Sequence, residues 1–532
     1  MVHNRSQFLL LAVAIATFVG HSQGANILGL FPSLSPSHLI IQMSAAKALA
    51  EKGHNVTVVT SLKPVVTHKN INVIQVPMTK EEAQQMSDTV GAMAKDDNSN
   101  IAVSLLRMSG QMDFMFKKNA ETLKDDRVRD LYLNKDNKFD VVLSGYFMND
   151  FQLGFARKVN APVIVLATMP PMQMLNPLIG NPLEISYVGV NSAEKGKGVP
   201  FMQRLTTYAT SLGFGLFAYI NTKLNKNLYK EVFGDDPNMP EYSEMLKNTS
   251  LIFFASHAAS EGPIRPNVPA AIEIGGIQIK DTPDPLPQNM ADFLGNATDG
   301  AILLSLGSNV KGSHLKPDTV VKMFNVLSKL KQRVIWKWED LEKTPGKSDN
   351  ILYSKWLPQD DILAHPKVKL FINHAGKGGI TEAQYHGKPM LSLPVFADQP
   401  QNAEGMIKKG FGRTLSLLTL EEQPFREAIL DVLSNPQYTQ KVASFSSLYR
   451  DRPMTARESV VYWTEYVIRH HGAAHLQSPL VHMNWIAANN IDIYFLFAVI
   501  LVISILLFKT VVKFILRKFF SKSKKPKKEK KH

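Results

Sequence analysis

The sequence predicts an α/β protein in which two facing doubly wound domains are followed by a C-terminal transmembrane helix. Short continuous apolar runs, typical of buried parallel strands, alternate with segments of helical character along most of the chain. A proline-rich segment at 281–287 divides this alternation into two series. With 532 residues the chain is also too long for one hydrophobic core. The uncharged run 493–508, taken with its flanks, is long enough to cross a bilayer.

Composition narrows the class of protein further. Since 45% of the residues are hydrophobic and 20% are charged, the chain is globular rather than disordered. The formal net charge of +14 raises the possibility of a nucleic-acid binder, but many basic residues lie in the tail KSKKPKKEKKH instead of on a soluble domain. The absence of cysteine excludes disulfides, thiol nucleophiles and cysteine-held metals. It does not exclude a secretory compartment.

The N-terminus predicts a signal peptide over residues 1–24. Arg5 precedes an apolar run at 8–19, and the small residues Ser22 and Gly24 follow it near a cleavage point. A buried first helix is the alternative, and it does not explain the basic flank or the small-residue end.

The first domain is predicted at 25–280. Strands are predicted at 26–31, 55–60, 140–145 and 163–167, and helices at 39–52 and 150–158. The stretch from about 172 to 250 is rich in Met, Pro and aromatic residues without a clean period. We expect it to contain helices that line an apolar pocket.

A linker at 281–300 and a second domain at 301–475 follow. Strands are predicted at 301–306, 333–338, 350–355, 368–372 and 390–395, and helices at 316–331, 380–385, 420–434, 436–448 and 456–471. Two α/β domains that face each other form a cleft, which is the usual place for a ligand.

The C-terminus predicts a transmembrane helix at 491–516 and a basic cytosolic tail at 517–532. Lys509 and Lys513 can reach the membrane interface, and the positive-inside rule places residues 25 to about 490 in the lumen. An interfacial amphipathic helix is the alternative, but the run is apolar all round. Beyond the predicted signal peptide, Asn-x-Ser/Thr sites occur at Asn55, which opens a predicted buried strand, and at Asn248 and Asn296, which are predicted in loops.

A glycine-rich turn in the second domain predicts a phosphate site. His374, Ala375 and Gly376 lie between two predicted strands and open a helix, so backbone N–H groups and a helix dipole point above the sheet edge. His374 lies where a diphosphate leaving group gathers charge, and its N–H group can stabilise that charge. Ser308 ends another strand together with Asn309 and can bond a phosphate, although a plain turn serine is equally consistent.

Flat and polar side chains surround this turn in the sequence. Trp356 offers a face on which a base can stack, or alternatively belongs to the core, and Gln359 can bond the base or ribose edge. Glu382 is a candidate for ribose hydroxyls, with a solvated helix carboxylate as the alternative. The remaining candidates follow the next strand, with sugar hydroxyls assigned to the first two and phosphates to the third: Asp398, Gln399 and Asn402.

In the first domain, His38 and Asp150 are candidates for a base and its partner. Both follow predicted strands at the carboxyl edge, where ligands of doubly wound sheets bind. A neutral imidazole there can take a proton from a hydroxyl, and a carboxylate on its far nitrogen would hold the tautomer. Capping or packing of helix starts is the alternative for both residues.

The segment 356–402 closely resembles the signature of the UDP-glycosyltransferase family, the membrane-bound animal type that conjugates sugars to lipophilic molecules. The resemblance spans nearly the whole chain and implies a GT-B fold of two Rossmann-like domains. Positions that match the family's motifs are the donor-site residues Trp356, Gln359, His374, Glu382, Asp398, Gln399 and Asn402, with His38 as base and Asp150 as its orienting carboxylate. The chain departs from the pattern at Ala375, where the family usually has a second glycine, and at 377–379, where a less charged turn ending in serine is common. These departures concern the phosphate contacts.

The resemblance further implies inverting transfer from a UDP-sugar to a hydroxyl of a small lipophilic acceptor, without a metal or another cofactor. No D-x-D motif and no P-loop pattern occurs in the sequence. The pattern at 305–310 resembles insect members, which favours UDP-glucose, and the tail end at 528–532 resembles a dilysine signal of type I endoplasmic-reticulum proteins. The family also implies that the last helix returns to the first domain. A non-catalytic carrier of lipophilic ligands is the alternative, and association with like or unlike chains is left open.

Overall fold

Five- and six-residue apolar runs form the central strands of both domains, because each run is buried on both faces by helices. In a computed structural model of the chain, the residues described are 24–95, 101–188, 198–260, 265–308 and 310–521. The predicted signal peptide up to residue 23, Asn309 and the tail beyond residue 521 lie outside these residues.

The first domain contains a seven-stranded parallel sheet. Its strands are β1 (Asn26–Phe31), β2 (Asn55–Thr60), β3 (Ile71–Gln75), β4 (Val141–Tyr146), β5 (Val163–Ala167), β6 (Thr249–Phe254) and β7 (Ala271–Glu273). Their order is β3-β2-β1-β4-β5-β6-β7, so the direction of winding reverses between the neighbours β1 and β4. Ligands of such sheets bind at this reversal, beyond the carboxyl ends of the strands.

Eight helices belong to this domain in the described residues. They are α1 (Pro36–Glu51), α2 (Lys80–Lys95), α3 (Ile101–Lys124), α4 (Asp126–Leu133), α5 (Gly154–Lys158), α6 (Asn176–Ile179), α7 (Phe201–Phe233) and α8 (Tyr242–Leu246). The stretch from about 172 to 250, for which no individual elements were predicted, contains helices as expected. The longest of these helices is α7, with 33 residues. The segment predicted as one helix at 150–158 begins as a 3₁₀ turn, Asp150–Leu153, before α5.

The second domain contains a six-stranded parallel sheet. Its strands are β8 (Ala301–Ser305), β9 (Arg333–Lys337), β10 (Ile351–Ser354), β11 (Val368–Asn373), β12 (Met390–Ser392) and β13 (Gly412–Thr414), in the order β10-β9-β8-β11-β12-β13. The helices are α9 (Gln288–Gly295), α10 (Pro317–Leu327), α11 (Gln359–Ala364), α12 (Lys377–Tyr385), α13 (Gln399–Lys409), α14 (Glu422–Ser434) and α15 (Pro436–Arg450). Winding reverses between β8 and β11, the strands that precede Ser308 and His374.

Hydrogen bonds attach the linker between the domains to the start of α11 in the second domain. The Lys280 backbone N–H donates to Asp360 at 2.9 Å, and its ammonium donates to Asp361 at 2.6 Å. The Asp284 N–H donates to the other oxygen of Asp361 at 2.7 Å. The segment 281–300 also contains α9, whose buried Met290 and Leu294 attach it to the second domain.

Helix α16 (Ala456–Arg469) follows the second domain along the chain but packs on the first. Val460 and Val467 belong to the first domain's core, and Glu465 contacts His54 at 3.2 Å. The return implied by the family resemblance is therefore confirmed, and α16 leaves the second domain although it falls within 301–475.

From Ser478 the chain forms a separate compact unit. It contains α17 (Trp485–Ala488) and α18 (Ile491–Ser521). By length and composition α18 can cross a membrane, and its apolar side chains are exposed. It is the candidate for the predicted transmembrane helix at 491–516.

Candidate active site

A cavity of about 1640 Å³ lies at the facing edges of the two sheets. Every predicted site residue except Asp150 lines it, so the structure brings the two halves of the predicted site together. Its first-domain wall is mainly apolar and rich in methionine: Val66, Met86, Val90, Met112, Met115, Phe147, Met169, Met172 and Phe214. Unbranched thioether side chains adapt to ligands of different shape, so this wall suits an apolar ligand.

His38 lies on the first-domain side of the cavity, in the first turn of α1. Pro36 at the first helical position starts this helix directly behind β1. The His38 ring packs against Phe147 with centroids 5.1 Å apart, and its buried Nδ1 has no hydrogen-bond partner among the described residues. Burial lowers the pKa of His38 to about 4. The imidazole is therefore neutral at physiological pH, as a general base must be.

Asp150 is buried at the start of the 3₁₀ turn that follows β4. Its Oδ2 accepts a hydrogen bond from the Tyr242 hydroxyl at 3.4 Å, while Oδ1 is buried with no partner in the described part of the chain. Burial raises the pKa of Asp150 to about 6, against the opposing effect of the Tyr146 and Tyr242 hydroxyls.

The predicted hydrogen bond between His38 and Asp150 is not formed in this structure. Tyr242 holds one carboxylate oxygen, and the two atoms expected to pair, His38 Nδ1 and Asp150 Oδ1, are both buried and unpaired among the described residues. Since β1 and β4 are neighbours, the loops that carry the two residues lie side by side at the winding reversal. Unpaired buried polar atoms are costly, which favours their pairing after a small side-chain movement.

His374 occupies the corresponding place in the second domain, after β11. A Cβ atom at Gly307 or at Gly376 would overlap the His374 ring, so the two glycines make room for the imidazole from both sides. Burial, and secondarily the charge of Lys337, lower the pKa of His374 to about 4. Gly376 was predicted to contribute a backbone amide; the structure adds that its missing side chain positions His374.

Ala375 has the left-handed conformation, with φ of +60°. Its N–H donates to Asn373 Oδ1 at 2.8 Å, and its carbonyl oxygen accepts from Asn402 Nδ2 at 3.0 Å. This conformation favours glycine, which explains why the family usually has glycine there. Ala375 thus adopts the left-handed backbone conformation that glycine adopts more easily.

Helix α12 begins at Lys377, three residues before the predicted start at Ile380. Gly376 is its N-cap, and residues 377–379 all line the cavity. The first backbone N–H groups of a helix have no partner within it, so this end of α12 can bind an anion.

Asn402, Asp398 and Gln399 hold loops together. The Asn402 amide donates to Ala375 and, at 2.6 Å, to the exposed Asp398 carboxylate, so both of its N–H groups are engaged. Asn402 stays a predicted phosphate contact, and in this structure its amide donates to protein acceptors. Gln399 Oε1 accepts from the N–H groups of Val395 and Phe396 at 2.8 and 3.1 Å, which leaves only its amino group for a sugar.

Trp356 and the pair Gln359–Glu382 lie at another part of the cavity wall. Trp356 is 48% exposed, which contradicts the core alternative and leaves a face for stacking. Gln359 Nε2 donates to Glu382 Oε2 at 2.7 Å. Burial and the nearby charge of Asp360 raise the pKa of Glu382 to about 8, so at neutral pH this carboxyl both donates and accepts. Ser308, after β8, lines the same cavity.

Comparison with known proteins decides the family. Residues 30–526 match the family model described as UDP-glucoronosyl and UDP-glucosyl transferase. The chain belongs to this family. It is therefore a UDP-glycosyltransferase, an enzyme that transfers a sugar from a UDP-sugar.

Two curated relatives carry the names of different enzymes. UDP-glucosyltransferase 2 of Dactylopius coccus is 33% identical over 527 residues, which cover 98% of this chain and 99% of that protein. UDP-glucuronosyltransferase 2B16 of Oryctolagus cuniculus is 29% identical over 491 residues, which cover 89% and 91%.

Solved glycosyltransferases share the fold of this UDP-glycosyltransferase. The calicheamicin glycosyltransferase has a TM-score of 0.54 at 16% identity and covers 84% of this chain and 99% of its own. The glycosyltransferase VinC in complex with DTDP has a TM-score of 0.51 at 14% identity, with the same coverage. The predicted GT-B arrangement of two Rossmann-like domains is thus confirmed.

Sequence reasoning missed the residues that hold Asp150. Tyr242 and Asn225 are far from Asp150 along the chain and follow no motif; their only signal was polar character within a stretch otherwise rich in apolar residues. Lys337 was also missed, although it ends β9 at the same sheet edge as His374.

Proposed function

We propose that this UDP-glycosyltransferase moves glucose from UDP-glucose to a hydroxyl of a small lipophilic acceptor. The observation that carries the proposal is the cavity described above, in which the neutral imidazole of His38 borders a methionine-rich wall while His374 and the start of α12 face it from the other domain. The printed name of the Dactylopius relative and the resemblance to insect members support glucose.

The donor would bind to the second domain. The uracil stacks on the exposed face of Trp356, and the neutral Glu382 with Gln359 bonds the base or ribose edge. The diphosphate lies at the N-terminus of α12 near Ser308, where the N–H groups of the first helical turn stabilise its charge. The sugar hydroxyls face Asp398 and the amino group of Gln399.

The transfer would be a direct displacement with inversion. The acceptor oxygen forms the new bond to the anomeric carbon while the bond from that carbon to UDP breaks. His38 takes the acceptor proton, and Asp150 turns its unpaired Oδ1 to the resulting imidazolium. The negative charge passes to UDP, where His374 and the N–H groups at the start of α12 stabilise it. These protein groups take the part that a metal ion plays in other transferases.

We further propose that the enzyme resides in the endoplasmic reticulum membrane. In this arrangement α18 is its single span and the catalytic domains lie in the lumen. The support is the apolar α18, the basic residues that follow it and the dilysine pattern at 528–532. Protease protection of the domains in sealed microsomes tests this orientation.

Acceptor-dependent release of UDP tests the function. The full chain in microsomes is given UDP-glucose or UDP-glucuronic acid, with and without a panel of phenols and alcohols, and products are identified by mass. Glucosides formed only with acceptor are expected. Products from UDP-glucuronic acid alone would overturn the sugar assignment, and no acceptor-dependent release from any UDP-sugar would indicate the non-catalytic carrier.

The base is tested by His38→Ala. Loss of a general base lowers kcat by roughly 10²- to 10⁴-fold while binding of UDP stays nearly unchanged, since His38 lies in the acceptor half. Near-normal turnover of the purified variant would remove His38 from the mechanism.

A further inference from the structure

The loop that carries Asp150 is held in a strained conformation by the long helix α7. Met148, two residues before Asp150, has a left-handed φ of +62°. Its carbonyl oxygen accepts from Asn221 at 3.1 Å and from the fully buried Asn225 at 2.9 Å, and Asn225 Oδ1 accepts from the Phe151 N–H at 3.1 Å. A non-glycine residue in this conformation persists only where its surroundings enforce it. The backbone on both sides of Asp150 is therefore fixed.

The carboxylate of Asp150 is held separately, by an element that contributes nothing to the cavity. Tyr242 at the start of α8 is buried and donates its hydroxyl to Oδ2. The titratable groups that act on Asp150 are this hydroxyl from α8 and the Tyr146 hydroxyl from β4. Both hydroxyls lower the pKa of Asp150, and the Tyr242 hydroxyl donates to Oδ2 at 3.4 Å.

We propose that Tyr242 is a positioning residue for sugar transfer: by holding Oδ2 it leaves Oδ1 of Asp150 available to the imidazole of His38. This inference rests on the proposed function, in which His38 is the base. Tyr242 touches neither substrate, and it acts only through the orientation and charge of the Asp150 carboxylate.

A neighbouring tyrosine provides a matched control. Tyr229 on α7 packs edge-on against Tyr242 with centroids 5.7 Å apart, and it is equally buried. Its hydroxyl donates to the Pro240 carbonyl at 2.8 Å instead of to a carboxylate. Replacement of either tyrosine by phenylalanine removes one buried hydroxyl from the same cluster, but only one of the two changes the surroundings of Asp150.

The pH dependence of kcat/KM distinguishes the two variants. Asp150 works as a carboxylate, so activity is present above its pKa of about 6 and is lost as pH falls through that value. A hydrogen bond to the carboxylate favours its charged form, so Tyr242→Phe raises this pKa and moves the acid limb upward by roughly one pH unit, a loss of roughly 5-fold at pH 6. KM for UDP-glucose stays within about twofold, because the donor site is in the other domain.

The full chain in microsomes is the material for this test, with Tyr229→Phe measured alongside. Wild-type behaviour of Tyr229→Phe and a shifted acid limb for Tyr242→Phe support the proposal. Equal profiles for the two variants overturn it. If the wild-type chain shows no acceptor-dependent UDP release, it is the proposed function that fails, so the two failures are distinct.

A double-mutant cycle distinguishes an effect through the Asp150 carboxylate from a folding defect of Tyr242→Phe. In an Asp150→Asn background the carboxylate charge is absent, so adding Tyr242→Phe should leave the residual single-turnover rate within about twofold. Melting temperatures of all four proteins show whether folding contributes. A further loss of 10-fold or more in the double variant, at unchanged melting temperature, overturns the proposal.

Discussion

At the scale of single residues, Ala375 stores strain beside the donor site. It is buried in a left-handed conformation that costs an L-residue roughly 1–2 kcal/mol. We expect Ala375→Gly to raise the free energy of unfolding by about 1 kcal/mol, measured by chemical denaturation of the solubilised enzyme.

The control for this variant is Ala209→Gly, at an exposed position of α7. There glycine lowers the free energy of unfolding by about 1 kcal/mol, because the site is helical. Destabilisation by both substitutions would mean that Ala375 is not strained.

Glu382 makes the stability of the enzyme depend on pH. Burial raises its pKa from 4.5 to about 8, so the folded state favours the protonated form. This contribution is fully present below about 4.5 and is lost as pH rises through about 8. We expect Glu382→Gln to flatten the dependence of the free energy of unfolding on pH across this window.

The comparison for Glu382→Gln is Glu404→Gln, which removes an exposed carboxylate paired with Lys408. It should leave the pH slope as in the wild type. An unchanged slope in Glu382→Gln would show that Glu382 ionises normally in the folded enzyme.

Most residues that line the site could be predicted, whereas their mutual contacts could not. His38, His374 and Trp356 follow strand ends or match the motif segment, and their positions along the chain place them at the cavity. That Asn402 bonds Ala375, or that Tyr242 holds Asp150, depends on side-chain geometry between distant segments. No periodicity in the sequence encodes such contacts.

At the scale of elements, the start of α12 and the turn before it form one unit with His374. Gly376→Ala keeps a backbone conformation that alanine tolerates, but its Cβ would overlap the His374 ring. Displacement of a group that stabilises leaving-group charge costs roughly 10²-fold in kcat, and we expect a loss of this order in steady-state assays.

Gly405→Ala is the control for this element. Gly405 lies in the neighbouring helix α13, and a Cβ there meets nothing within 4 Å. Its activity should match the wild type and its stability should rise slightly, because alanine is the better helix former. Full activity of Gly376→Ala would mean that the His374 position is not needed.

Most central strands were predicted closely, but the buried strand β6, the edge strands β3, β7 and β13 and the glycine-rich start of α12 were not. The core strand β5 has the predicted bounds, since five continuous apolar residues allow little else. The three-residue β7 and β13 lie at sheet edges and carry no comparable signal. The two glycines at 378 and 379 have low helix propensity, so α12 was predicted to start after them; packing overrode that propensity.

At the scale of the whole molecule, Asp361 joins the linker to the second domain. It is almost fully buried and accepts from Lys280 and from the Asp284 backbone. We expect Asp361→Asn to lower the free energy of unfolding by roughly 1–3 kcal/mol, because it weakens two charge-assisted hydrogen bonds.

The exposed carboxylate of Asp284 also contacts Lys280, at 2.7 Å. Asp284→Asn should therefore cost less than about 1 kcal/mol. A loss as large as that of Asp361→Asn would place the stabilisation in the exposed pair rather than in the buried contacts.

The return of α16 to the first domain sets an order for biosynthesis. Val460 and Val467 complete the core of a domain whose last strand ends at Glu273, about 190 residues earlier. At ribosomal speeds of roughly 5–20 residues per second, the first domain waits on the order of 10–40 s with part of its core uncovered. During that time the nascent N-terminal half exposes the apolar groove that α16 later fills. The second domain, by contrast, has all of its strands and helices as soon as α15 is made.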